Sequence, residues 1–90
     1  MKYKIGDYVK IKTWEELTKI ARFIERFDLL LYREDCIGFN VEMKKYCGKK
    51  FKIIRKFWLG NEEIIELDNS ACKFSEWMLD NVEKNIFNLE

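Results

Sequence analysis

Phe39-Asn-Val-Glu-Met-Lys-Lys-Tyr-Cys-Gly-Lys49 opens the stretch that decides the fold of this chain, and Phe74-Ser-Glu-Trp-Met-Leu79 closes it. Between these two segments, apolar residues alternate with polar ones in runs separated by turn residues. Alternation with a period of two is typical of strands that bury one face. The stretch therefore predicts a fold built mainly from short strands, and it predicts structure better than it predicts an activity.

The elements expected inside this stretch follow from its caps and turns. Asn40 is a favourable N-cap for a short helical turn, and Gly48 stands where a left-handed residue ends one. Gly60 and Asn61 predict a hairpin turn, and Ser75 is expected to cap a final turn or helix over residues 77–79. The predicted elements are a helical turn over residues 41–46 and strands over residues 51–59, 63–67 and 71–74. In the strand over residues 51–59, the residues expected to share the buried face are Phe51, Ile53, Phe57 and Leu59.

Upstream, residues 8–12 alternate after a Gly-Asp turn and predict a strand with Val9 and Ile11 facing inward. Thr13 and Glu16 have the spacing of a capping box, which predicts a helix over residues 14–26. Residues 29–32 are apolar and predict a further strand or extended segment.

Ninety residues suffice for one small domain over residues 1–90. About five short strands with small helices between them predict a mostly β (α+β) fold of the small-barrel type.

The residue types needed for catalysis are scarce. The chain has no His and few Ser or Thr, and it lacks a glycine-rich phosphate loop, so we expect no enzyme and no cofactor. Cys36, Cys47 and Cys72 are odd in number and lack metal-site spacing, so we expect reduced, mostly buried thiols with no bound metal. A reactive Cys36 is not expected, because the neighbouring Glu34 and Asp35 would raise the pKa of its thiol.

The hydropathy of the chain argues against a membrane protein. Its longest unbroken apolar run, residues 29–32, is far shorter than the roughly 20 residues that span a bilayer. The N-terminus lacks the apolar segment of a secretory signal. We therefore expect no membrane association and a cytoplasmic location.

Charge is unevenly distributed along the chain. Residues 41–60 carry seven Lys or Arg against one Glu, a balance of +6, whereas residues 61–90 carry eight acidic residues against two Lys, a balance of −6. If the two basic strands bury their alternate residues, six residues share the solvated face and form a candidate macromolecule-binding surface: Tyr8, Lys10, Lys12, Lys52, Lys56 and Trp58. Lysines interleaved with aromatic rings suit nucleic acid. The alternative is that these residues are only the solvated faces of two amphipathic strands.

The order of four segments, Gly6-Asp-Tyr-Val-Lys-Ile-Lys12, Trp14-Glu-Glu-Leu17, the Phe39 to Lys49 segment and the Phe74 to Leu79 segment, resembles small SH3-like barrel proteins of phages and prophages. The resemblance extends over residues 5–80. It implies a five-stranded SH3-like barrel with a short helical turn. The inserted N-terminal helix and the C-terminal helical extension after Asp80 are departures from the pattern of these proteins. Most such proteins are functionally uncharacterised, and a fold by itself does not specify a function.

These expectations favour a non-catalytic module that binds a macromolecule. The first hypothesis is a host protein as partner, with inhibition of a bacterial defence system, in the manner of an anti-CRISPR protein, as one version. If they are exposed, Tyr32, Tyr46, Trp58 and Trp77 are its expected anchors, and the alternative for Trp77 is a place in the core. Nucleic-acid binding through the basic, aromatic face is the alternative. Val82, Ile86 and Leu89 continue an apolar stripe, so self-association through the C-terminal tail is a further expectation.

Overall fold

A computed structural model describes residues 3–82 of the chain. Its strands are β1 (Tyr8–Ile11), β2 (Arg22–Ile24), β3 (Leu29–Leu31), β4 (Phe39–Asn40), β5 (Lys50–Leu59), β6 (Glu62–Leu67), β7 (Lys73–Ser75) and β8 (Leu79–Asn81). Helix α1 spans Trp14–Ile20, and 3-10 helices span Glu25–Phe27, Val41–Tyr46 and Glu76–Met78. The predicted mostly β architecture is confirmed.

The main sheet has five antiparallel strands in the order β7-β6-β5-β1-β8. Its central strand, β5, is ten residues long and pairs with a different strand on each side. The first part of β5 pairs with β1, and the part from Ile53 onward pairs with β6. β7 and β8 form the two edges of this open sheet, and the 3-10 helix Glu76–Met78 connects them.

A β-bulge lies in β5 between Ile53 and Arg55. The extra residue reverses the inward and outward sides of the strand beyond it, because successive side chains point to opposite faces. The prediction that Phe57 and Leu59 continue the buried face of Phe51 and Ile53 is therefore wrong. Leu59 is 60% exposed and Phe57 is half-buried.

The segment between β1 and β5 folds into α1 and a second, three-stranded sheet in the order β2-β3-β4. Thr13 and Glu16 form the predicted capping box at the start of α1. The helix ends at Ile20, six residues earlier than predicted, and Arg22–Ile24 pairs with Leu29–Leu31 instead. Phenylalanine and isoleucine suit a strand at least as well as a helix, and pairing with β3 outweighs the weak helical preference.

Two of the predicted helical turns are 3-10 helices. Val41–Tyr46 follows Asn40 as predicted, and Gly48 beyond it has the expected left-handed conformation with φ of 77°. After the Glu76–Met78 turn the chain forms β8, a strand that pairs with β1 and that the sequence prediction missed. The last predicted strand, over residues 71–74, forms as Lys73–Ser75.

One cluster of buried side chains joins the two sheets. Val9, Ile53 and Phe74 from the main sheet pack in it with Leu30 and Phe39 from the smaller sheet. Both sheets contribute side chains to the same apolar interior. Burial of these side chains therefore holds the segment between β1 and β5 against the main sheet.

Three sequence predictions concern residues at the margins of this core. The cysteines are unpaired as expected, but each is half-buried where mostly buried thiols were predicted. Val82 is half-buried, whereas Ile86 and Leu89 lie outside the described residues. Within residues 3–82, no helix has the length and apolar character needed to cross a membrane.

Candidate binding groove

A groove of about 590 Å³ lies where the loop after β3, the β5–β6 hairpin and the 3-10 helix before β8 converge. Each of these elements contributes aromatic and acidic side chains to the lining. The residues that line the groove are Lys12, Ile20, Tyr32, Arg33, Asp35, Cys36, Trp58, Asn61, Glu62, Glu63, Ser75, Glu76, Trp77 and Leu79. Because the lining comes from segments far apart in sequence, folding alone assembles it.

One side of the groove is a stacked pair of rings. Tyr32 and Trp77 lie with ring centroids 5.5 Å apart and an interplanar angle of 17°. The indole N–H of Trp77 donates a hydrogen bond of 3.3 Å to the carbonyl oxygen of Ile37. Stacking and this hydrogen bond fix the ring of Trp77, so this side of the groove is formed before any ligand binds.

Glu62 holds the loop after β3 to the main sheet. Its Oε1 accepts a hydrogen bond of 2.9 Å from the backbone N–H of Ile37, and its Oε2 accepts one of 2.5 Å from the hydroxyl of Ser75. Hydrogen bonds to an ionised carboxylate are among the stronger ones in proteins. Glu62 is therefore a structural link, although it stands in the lining of the groove.

Lys56 and Glu63 form a second polar cluster at the same end of the sheet. The ammonium of Lys56 donates a hydrogen bond of 2.8 Å to the carbonyl oxygen of Tyr3 and lies 3.5 Å from Glu63 Oε2. The other oxygen of Glu63 is buried and has no hydrogen-bond partner among the described residues. Lys56 is thereby committed to contacts inside the protein.

Trp58 is the most exposed aromatic residue of the groove. It lies two residues beyond Lys56 on the same side of β5, opposite Glu63 in β6, and it is 64% exposed. An exposed tryptophan beside a fixed aromatic pair provides apolar area that is still accessible to a ligand.

Cys36 lies at the rim of the groove. Burial raises the pKa of its thiol, the hydrogen bond from Arg33 opposes that rise, and the carboxylate of Glu62 adds to it. The direction agrees with the prediction, but burial and Glu62 cause the rise, whereas the sequence suggested Glu34 and Asp35. A thiol that ionises less readily than usual is a poor nucleophile at neutral pH.

The structure separates the six residues predicted to share one basic face. Tyr8, Lys10 and Lys52 lie together on the outer side of β1 and β5, where Tyr8 is opposite Lys52. Lys12 forms an ion pair with Asp80 and lines the groove. The prediction that one solvated face carries all six is therefore wrong, because the bulge moves Lys56 and Trp58 to the other side of the sheet.

Sequence analysis missed two residues, Lys50 and Glu62. Lys50 lies directly opposite Lys10, a pairing that depends on the register of β1 and β5. Tyr32 and Trp77 were predicted as anchors for a partner, but no spacing in the sequence brings them together with Glu62, because the three come from separate segments. Among residues 3–82, no cluster of His, Cys, Asp or Glu could hold a metal ion.

The chain was also compared with known proteins. No protein-family model matches it, and neither a curated protein nor a solved structure does so.

Proposed function

We propose that this protein is a non-catalytic module that binds another protein through the groove. The observation that carries the proposal is the convergence of Tyr32, Trp58 and Trp77 from three separate elements on one groove. Tryptophan and tyrosine supply much of the binding energy at protein interfaces when they pack in a partly preformed pocket. The Tyr32–Trp77 stack provides the fixed part, and Trp58 provides the exposed part.

The finer fold we propose is an SH3-like barrel whose first loop carries an insertion. Three features support it: the order of the strands in the main sheet, a long β5 that serves both halves, and a 3-10 helix between the last two strands. In this proposal α1 and the smaller sheet occupy the loop between the first two barrel strands. The groove then lies between that insertion and the β5–β6 hairpin.

For the biological setting we propose a phage- or prophage-encoded protein that acts in the cytoplasm on a host protein. Its support is the resemblance of the Phe39 to Lys49 and Phe74 to Leu79 segments to small phage and prophage proteins. Inhibition of a bacterial defence complex is the specific version of this proposal. A small rigid module without catalytic groups acts by occupying a partner's surface, which fits such a role.

An affinity capture with two matched variants tests the groove. Tagged wild-type protein, Trp58→Ala and Leu59→Ala are incubated with nuclease-treated lysate of a bacterial host, and bound proteins are quantified by mass spectrometry. Trp58 and Leu59 are neighbours of similar exposure, 64% and 60%, but only Trp58 lines the groove. We expect a partner in near-equimolar amount with wild type and Leu59→Ala, and at least about tenfold less with Trp58→Ala. Equal capture by all three proteins would rule out the groove as the binding site.

A further inference from the structure

A second surface differs from the groove in its charge. It consists of Tyr8, Lys10, Lys50 and Lys52, and we call it the lysine face. β1 and β5 are paired so that Lys10 lies opposite Lys50 and Tyr8 lies opposite Lys52. Cross-strand partners project on the same side of a sheet. Since Val9 and Phe51, the residues between them, are buried, all four members of the lysine face project on the outer side.

The ammonium groups of this face form no ion pair among the described residues, although Asp68 accepts a hydrogen bond of 2.8 Å from the backbone N–H of Lys52. The described ion pairs use other cations, namely Lys12, Arg33, Arg55, Lys56 and Lys73. Asp80 lies opposite Lys10 in the neighbouring strand β8, but its carboxylate pairs with Lys12. The lysine face therefore presents three positive charges, and Asp80 beside it is already paired with Lys12.

The arrangement is electrostatically unfavourable in the free protein. Like charges directly opposite each other on paired strands are destabilising. Lys10 and Lys50 border a depression of about 510 Å³ that is open to solvent, and Asp80, which is paired with Lys12, lines its other side with Asn81 and Val82. A polyanion that enters this depression would replace the repulsion between the two ammonium groups with attraction.

Tyr8 distinguishes the lysine face from a simple patch of charge. Its ring is 57% exposed, and the ammonium of Lys52 lies 5.9 Å from the ring centroid. An exposed ring next to cations is the combination that binds single-stranded nucleic acid, where the bases stack on rings and the phosphates contact Lys. Lys50 and Lys52 are two residues apart on β5 and therefore about 6.6–6.8 Å apart, and Lys10 lies across from Lys50 on β1. The three cations thus lie close enough together for one extended nucleic-acid backbone to contact them.

We propose that the lysine face binds single-stranded nucleic acid without sequence preference. Lys10, Lys50 and Lys52 contact successive phosphates, and a base stacks on Tyr8. Because an ammonium group is a point charge without the planar geometry that reads a base edge, the phosphate contacts do not depend on sequence. The site is separate from the groove and independent of the protein partner proposed there.

Fluorescence anisotropy with a labelled 20-mer of deoxythymidine tests the proposal. The test variant carries Lys10→Gln and Lys50→Gln, and the charge-matched control carries Lys19→Gln and Lys73→Gln at exposed positions outside the lysine face. Affinity is measured from low to moderate salt. Removing two phosphate contacts should lower the magnitude of the slope of log K against log salt by about 1.4, while the control lowers it much less.

Tyr8→Ala tests base stacking separately, because it removes the aromatic ring and leaves the charge of the lysine face unchanged. Loss of one stacked base should weaken binding at least about fivefold, with the salt slope unchanged. Circular dichroism confirms that each variant is folded. Absence of binding at low salt, equal losses in test and control variants, tighter binding of a duplex of the same length, or equally strong competition by polyglutamate would each overturn the proposal.

Discussion

The groove and the lysine face differ in how their charges are used. In the groove, Glu62 accepts two hydrogen bonds and Lys12 is paired with Asp80, so these charged groups hold the structure together. On the lysine face, Lys10 and Lys50 face each other and neither forms a described ion pair. A charged side chain in a groove can therefore be structural, whereas one on an open sheet face can remain available to a ligand.

The largest effect on stability is expected from Glu62→Ala. This change leaves the N–H of Ile37 and the hydroxyl of Ser75 without their acceptor, and it should lower the free energy of unfolding by about 1–3 kcal/mol. Lys50→Ala on the lysine face should change it by less than about 0.5 kcal/mol. Urea unfolding followed by tryptophan fluorescence measures both. Equal effects of the two changes would contradict the comparison.

A smaller effect, of opposite sign, is expected from Lys50→Glu. The new carboxylate lies opposite Lys10 and converts a repulsive cross-strand pair into an attractive one, so stability should rise by about 0.2–1 kcal/mol. The same change should abolish binding of the 20-mer oligonucleotide. Lys73→Glu is the control, because Lys73 is paired with Glu66 and its replacement puts two acidic groups together, which should lower stability. A less stable Lys50→Glu variant would show that the lysines are not in conflict.

The smallest effects concern the thiols. Burial raises the pKa of Cys36 and of Cys47, and Lys44 partly offsets the rise at Cys47. Both thiols should therefore react with iodoacetamide at pH 8 more slowly than cysteine in a short peptide. Lys44→Gln should slow the reaction of Cys47 further and leave that of Cys36 unchanged. Mass spectrometry of timed samples measures both rates.

The sign of the pH dependence follows from the same shifts. Because folding favours the neutral thiols, their contribution to stability is fully present below the pKa of an unfolded cysteine. It is lost as the pH rises through the higher pKa of the folded state. Unfolding in urea should remove the difference between either cysteine and the peptide. A protein thiol that reacted faster than the peptide in the folded state would contradict the direction of the shift.

Local signals in the sequence were sufficient for much of the main sheet. Alternation over residues 8–12 predicted β1 with Val9 and Ile11 inward, and both are buried. Gly60 closes the β5–β6 hairpin with a positive φ, as its position suggested. These predictions succeeded because the periodicity of a strand and the conformational freedom of glycine act within a few residues.

The insertion between β1 and β5 was less predictable. The apolar spacing that predicted a helix to residue 26 is compatible with a short helix followed by a strand, and only pairing of β2 with β3 selects the latter. Likewise, the sequence of residues 77–81 does not reveal a strand, because β8 forms by pairing with β1 near the other end of the chain. Elements that depend on a distant partner escape a local pattern.

The absence of histidine, the segregation of charge and the alternation typical of a mostly β fold can all be read from the amino-acid sequence. Which charged residues are paired and which stay available depends on how the strands pair in the folded chain. The register of β1 and β5 sets Lys50 opposite Lys10, and the bulge in β5 exchanges the two sides of the strand beyond it and directs Lys56 toward Tyr3 and Glu63. A shift of one residue in pairing has no signature in composition, yet it separates the groove from the lysine face.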